Sequence, residues 1–188
     1  MLETTYLTNN FLIAMPNLAD SNFLKTVTYI CIHNEEGAMG IVINRPMNIN
    51  LVDVLEQMDI ETENPDSIRL PIFNGGPVQQ ERGFVLHQPE TQTWDAMLTV
   101  SEELNITTSR DIISAIANDK GPNEVLIALG YAGWGAGQLE QEMADNVWLN
   151  TPADNGIIFK TPPNQRWQAA VANLGIDLTL LSSEAGHA

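Results

Sequence analysis

The chain has 188 residues, 24 of them acidic and 8 basic, which gives a formal charge of −16. A surface of that sign repels phosphate backbones and anionic lipid, so it argues against direct nucleic-acid binding and peripheral membrane binding, while a protein with a basic face stays open as a partner. The length fits one domain, or at most two small ones, and a domain of this size buries roughly 70% of the surface its unfolded chain exposes; the sole cysteine, Cys31, excludes an internal disulfide and favours a reducing compartment.

Glu3 is acidic and no Lys or Arg precedes Lys25, so the N-terminus does not read as a signal peptide. No uncharged apolar run approaches the ~20 residues of a membrane span. Both features point to the cytoplasm. Three strands are expected early: Phe11 to Met15, stopped by Pro16; Thr26 to His33; and Ala38 to Ile43, the last two forming a hairpin around Asn34-Glu35-Glu36-Gly37. By the period of two, Val27, Tyr29, Cys31 and His33 share one strand face. Asn50 caps a helix in which Leu51, Val54, Leu55 and Met58 recur at helical spacing.

The polar stretch Glu61 to Pro71 is a surface loop, followed by strands near Pro71–Asn74 and Gly83–His87. Thr108 and Asp111 resemble a capping box ahead of the stripe Ile112, Ile113 and Ile116. Glu124 to Gly130 reads as a buried strand, and a Gly-rich loop then leads into a helix from about Gln138 with Leu139, Met143 and Val147 on its apolar face. Gly156 to Phe159 is expected as a strand, and Pro162 opens a last helix that Gly175 stops. Ile176 to Leu181 is a final strand, and 182–188 a mobile polar tail. Strands beside strand–helix–strand segments predict an α+β fold, one domain over 1–188 with a large mixed sheet and packed helices.

Several segments carry candidate chemistry. The run Gly130 to Gln138 has the strand-to-helix context of a phosphate site, but its glycines miss both the dinucleotide and the P-loop spacing, and Glu140 and Glu142 would repel phosphate. Asn74-Gly75-Gly76-Pro77 is a tight turn, or a backbone surface for a small ligand. Asn44-Arg45-Pro46 ends a strand, where Arg45 can clamp an anion or join a structural salt bridge. Gln138, Glu140 and Glu142 open a helix, and the two glutamates point roughly 200° apart there. His33 and His87 lie in no zinc motif, Cys31 pairs with His33 or is inert and buried, and no metal or cofactor is called for.

An ordered set of segments then carries a resemblance. It runs through Asn22-Phe23, Thr26-Val27, Gly37 to Pro46, Gly75-Gly76-Pro77-Val78, Gly83 to His87, Leu129 to Trp134, Gly137 to Glu142 and Trp148-Leu149. It closes with Phe159, Trp167, Leu174 to Asp177 and Gly186-His187-Ala188. Together they are similar to the YqgE/AlgH family of bacterial proteins from Leu12 to Ala188. The resemblance implies an α+β domain on a large mixed sheet in small cytosolic proteins without an agreed catalytic residue, some labelled as putative transcriptional regulators. Its matching polar positions suggest one shared surface made by Asn44, Arg45, Pro46, Asn74, Gly75, Gly76, Pro77, Gln138, Glu140 and Glu142. Three functions compete for it. One is a non-catalytic binding or regulatory module for a protein or small anionic ligand. Another is a hydrolase in which Arg45 holds an anion and Glu140 or Glu142 is the base. The third is a regulator, direct contact with DNA being disfavoured by charge.

Overall fold

A computed structural model of the protein describes residues 5–16, 25–62 and 69–175. The expected strand 176–181, the tail 182–188, the Asn22-Phe23 segment and most of the loop after Glu61 lie outside the described residues. The strands are β1 (Asn10–Ala14), β2 (Val27–Asn34), β3 (Gly37–Val42), β4 (Pro46–Asn50), β5 (Pro71–Asn74), β6 (Val78–His87), β7 (Met97–Thr99), β8 (Asn105–Thr107), β9 (Val125–Gly135) and β10 (Trp148–Pro152). The helices are α1 (Leu51–Gln57), α2 (Arg110–Ala117), α3 (Gln138–Ala144), α4 (Asn155–Phe159) and α5 (Arg166–Asn173).

The strands form one curled sheet in the order β10-β1-β2-β3-β9-β6-β8-β7, with β5 on β9 and β4 on β5. Every pairing is antiparallel except β5 with β9. The sheet is therefore mixed and the fold α+β, as the sequence predicts.

β9 is the spine. Its first half alternates between two apolar cores: Leu126 and Ala128 face Phe84, Ile106, α4 and α5, while Ile127 faces Ile72, Val85, α1 and α2. Burial on both faces explains why this stretch reads as a continuous apolar run. A third core sets Leu139 of α3 against Leu12, Ile30, Trp134 and Trp148. α1 starts where the sequence predicts, with the Asn50 side chain accepting from Val52 N and Asp53 returning a bond to Asn50 N at 2.9 Å. α2 takes Ser109 as its N-cap residue, one position beyond the expected cap, and no side-chain hydrogen bond caps it. Burying Ile112, Ile113 and Ile116 at roughly 1.5–3 kcal/mol each outweighs a missing cap of about 1 kcal/mol.

Several expectations need correction. Gly156 to Phe159 is helical, because Asp154 accepts from Gly156 N at 2.8 Å and Ile157 and Ile158 both enter the core. A four-residue apolar run does not distinguish strand from helix. The Gly-rich stretch after Gly130 is the second half of β9, not a loop. It pairs with β3 from Gly37↔Gly135 to Gly40↔Ala132 and buries Ala132 and Trp134 alternately. Strands β4, β7, β8 and β10 are short or polar and carry little local signal. β6 starts at Val78 rather than Gly83 because a register shift hides its first half.

The expected common face of Cys31 and His33 is also broken. A register shift between Ile30 and Ile32 moves His33 toward α3, while Cys31 stays in the core with Val27 and Tyr29.

α5 is tied to the sheet by Arg166. Its Nε donates to the Thr161 carbonyl at 2.9 Å, its Nη1 donates to the Ile43 carbonyl, and the guanidinium lies 5.0 Å over the Phe73 ring. Burial pulls its pKa down to about 10, so it stays charged at neutral pH.

Candidate functional site

The Asn-Arg-Pro and Gly-Gly-Pro segments meet. Asn44 accepts from Val27 N at 2.9 Å and donates to the Lys25 carbonyl at 3.0 Å. The Arg45 carbonyl accepts from Asn74 N at 2.8 Å, and the Asn74 side chain accepts from Gly76 N at 3.2 Å. Pro46 starts β4 opposite Phe73.

The reason for the glycines is topological. β5 and β6 flank β9 on opposite edges, so Gly75-Gly76-Pro77 carries the chain across the middle of β9 at Gly130 and Tyr131. A Cβ on Gly76 would overlap the Tyr131 carbonyl group, and one on Gly130 would overlap the Gly76 carbonyl oxygen. Gly76 has φ +153° and Gly130 φ +78°. A hollow beside this turn, lined by Arg45, Asn74, Gly76, Pro77 and Gln80, holds about 20 Å³, room for roughly one water.

Gln138, Glu140 and Glu142 lie elsewhere. From Leu129, beside Asn74, to Gly135, where α3 is reached, β9 runs six residues or about 20 Å. Structural tasks engage all three side chains. Gln138 accepts from Gly135 N at 3.0 Å. Glu140 Oε1 is 2.9 Å from His33 Nε2. His33 Nδ1 accepts from Leu7 N at 2.9 Å, so the ring proton sits on Nε2 and points at Glu140. Glu142 Oε2 accepts from Trp134 Nε1 and Trp148 Nε1, both at 2.8 Å, and its Oε1 accepts from Gln138 at 3.1 Å. The two glutamates serve opposite sides of α3, as the helical angle predicts. The ten expected surface residues thus divide into two groups, and the hollow that Arg45 lines includes neither glutamate.

The structure presents a different concavity. An open groove of about 750 Å³ lies where the curled sheet opens, across β2, β3, β9, β6, β8 and β7. Its floor is Met39, Phe84, Ile106 and Tyr131, which continue the main core outward. Phe84 and Tyr131 meet edge to face at 5.8 Å. Five large hydrophobic side chains are exposed among the described residues, and three of them, Ile32 (36%), Val78 (36%) and Leu98 (45%), border this groove. Scattered exposure is normal; clustering over one hollow is not. None of these residues was expected as functional. The one local hint is Ile32, an isoleucine on a strand between Cys31 and His33 whose face should be polar.

The family model described as AlgH-like matches residues 11–179. The chain belongs to the AlgH-like family. It is 60% identical to a UPF0301 protein of Thioalkalivibrio sulfidiphilus over the full length of both chains. The solution structure of AlgH from Pseudomonas aeruginosa superposes with a TM-score of 0.81 at 52% identity, covering all of both chains. A crystal structure of a Corynebacterium diphtheriae protein shares the fold, with a TM-score of 0.76 at 19% identity over 97% of this chain and 94% of that one.

Two further groups in this AlgH-like chain are buried. Burial pushes the Cys31 thiol up, far from a reactive thiolate. His87 Nδ1 faces the Gln88 carbonyl at 3.1 Å and so carries the proton, leaving Nε2 to accept from the Thr107 hydroxyl at 2.8 Å. Burial lowers the His87 pKa below its ordinary 6.5, against the opposing pull of the Gln88 carbonyl and Glu90. The folded ring resists a proton that the unfolded chain takes up. His87 therefore leaves stability unchanged above pH 6.5 and lowers it as pH falls below 6.5. Urea midpoints of wild type should fall between pH 7 and about pH 5.5, and His87→Asn should flatten that slope. An equal slope in the variant would assign the effect to other groups. Among the described residues no cluster of three or more His, Cys, Asp or Glu could hold a metal ion, and no helix is long and apolar enough to cross a membrane.

Proposed function

We propose that this protein is a cytoplasmic ligand-binding protein and that its site is the apolar groove of the curled sheet. The clustering of Ile32, Val78 and Leu98 over the Met39–Phe84–Tyr131 floor carries the proposal. The volume of about 750 Å³ supports a small molecule, since such sites typically span ~300–1,000 Å³. A concave, largely apolar lining with a few polar groups is the usual form of a binding site. The single buried free cysteine supports a reducing compartment. Nucleic-acid backbones are left out as direct partners by the charge of −16.

The uncharged fluorescent probe N-phenyl-1-naphthylamine tests the site. Wild type should bind it saturably, one per chain. Leu98→Glu, which sets a charge at the groove edge on an exposed position, should weaken binding about tenfold with an unchanged melting temperature. Unsaturable binding, or equal binding by the variant, would sink the proposal.

A further inference from the structure

We propose that the groove's ligand is an amphiphile with a single carboxylate head, and that Arg82 is the residue that reads this head; the proposal rests on the groove being the binding site. Among the described residues, Arg82 is the one cation lining the groove. Its guanidinium carbon lies 5.4 Å over the Phe84 ring, at the edge of the apolar floor. Its remaining polar contact is a long 3.5 Å bond from Nη1 to Gln79 Oε1. Among the described residues no carboxylate pairs with it, although Asp95 lines the same groove. In a chain with 24 acids and 8 bases, a cation left without an acid beside an apolar hollow is an open position for an anion.

The backbone accounts for that placement. Between the pairs Val78↔Tyr131 and Gly83↔Leu129, β6 carries Gln79, Gln80, Glu81 and Arg82 against the single Gly130 of β9. The extra residues bulge out of the ladder, with Gln79 at φ +46°. Gly130 permits the bulge, because a Cβ there would press on the Val78 carbonyl oxygen and the Gln80 Cα. A regular strand would alternate these side chains between the two faces, whereas bulges re-aim side chains next to sites. Here the bulge carries Arg82 to the rim of a groove whose floor starts at Phe84.

Charge also sets the kind of head group. A planar guanidinium matches the two oxygens of a carboxylate. Asp95 on the same groove and the overall charge of −16 penalise a second negative charge on the ligand, so a monoanion is favoured over a phosphate dianion.

The test is displacement of N-phenyl-1-naphthylamine from the full-length protein by four compounds that share a ten-carbon chain: decanoate, decanol, decyl phosphate and decyltrimethylammonium. Decanoate is expected to bind about tenfold more tightly than decanol at low salt, the scale of one partly exposed charge-assisted bond. Added salt should erode that advantage. Decyl phosphate should bind more weakly than decanoate. Arg82→Gln, on an exposed side chain, should bring decanoate to the level of decanol, leave decanol unchanged and keep the melting temperature. Equal affinities for decanoate and decanol in wild type would overturn the head-group assignment while leaving the groove as a site. So would a preference for decyltrimethylammonium, or for decyl phosphate over decanoate. Arg82→Gln weakening decanoate and decanol alike would make Arg82 a wall residue and reject its role. Failure of the dye itself to bind saturably would remove the groove and the head-group assignment together.

Discussion

Gly76→Ala is expected to cost about 3–5 kcal/mol, combining a strained backbone with an overpacked crossing. Gly76 stands at φ +153°, and its added methyl would fall within the Tyr131 peptide group. Flexible side chains can yield to such a clash, but here the obstacle is the backbone of the central strand. β9 cannot move aside, because it is bonded to β6 on one edge and to β5 and β3 on the other. A loss of this size approaches the whole stability of a typical domain, about 5–15 kcal/mol. Gly130→Ala should behave similarly, since its methyl would meet the Gly76 carbonyl oxygen from the opposite side. Gly83→Ala is the control: its nearest neighbour would be Leu129 Cδ2 at 4.0 Å, and its φ is not positive. Urea unfolding measures all three. A Gly76→Ala midpoint as close to wild type as that of Gly83→Ala would refute the crossing as the reason for these glycines.

Glu142→Ala should destabilise by about 2–4 kcal/mol, because two indole N–H groups lose one shared carboxylate acceptor. Trp134 and Trp148 are both buried and meet edge to face at 6.2 Å, so water cannot freely replace the lost oxygen. Glu142→Gln keeps an acceptor oxygen and should cost about 1 kcal/mol, the difference between a charged and a neutral bond. Near-ultraviolet circular dichroism should change with the alanine variant, since the indole pair loses its fixed geometry. Trp134 also lines the groove, so the same variant should weaken dye binding. A melting temperature and aromatic spectrum equal to wild type would show that the carboxylate does not hold the pair.

The candidate site was legible only in part, and the divide follows sequence distance. The resemblance suggests one surface for ten residues; the backbone bonds Asn74 N to Arg45 O and Val42 N to Gly75 O place the Asn-Arg-Pro and Gly-Gly-Pro segments side by side, while Gln138, Glu140 and Glu142 sit at the far end of β9. Helix α3 was placed correctly along the chain, but its distance from Arg45 depends on how far β9 continues. Glycines at 130, 133, 135 and 137 argued for a loop, whereas cross-strand bonds to β3 keep the chain extended to Gly135. The groove left almost no local trace. Ile32, Arg82, Leu98 and Tyr131 are far apart in the chain, and apart from the apolar Ile32 on an outward strand face each is unremarkable among its immediate neighbours.

What the sequence determined by itself is local. The Asn50–Asp53 cap and the Leu51, Leu55 stripe select α1, and the run from Val125 to Leu129 selects a doubly buried strand, because helical spacing and β-branched apolar runs act over a few residues. Tertiary structure alone decided the crossing over β9, the helical state of Gly156 to Phe159, and the position of Arg82 at a groove rim. Those outcomes depend on which strand lies beside which, and pairing energy between segments tens of residues apart leaves no periodic mark on either one.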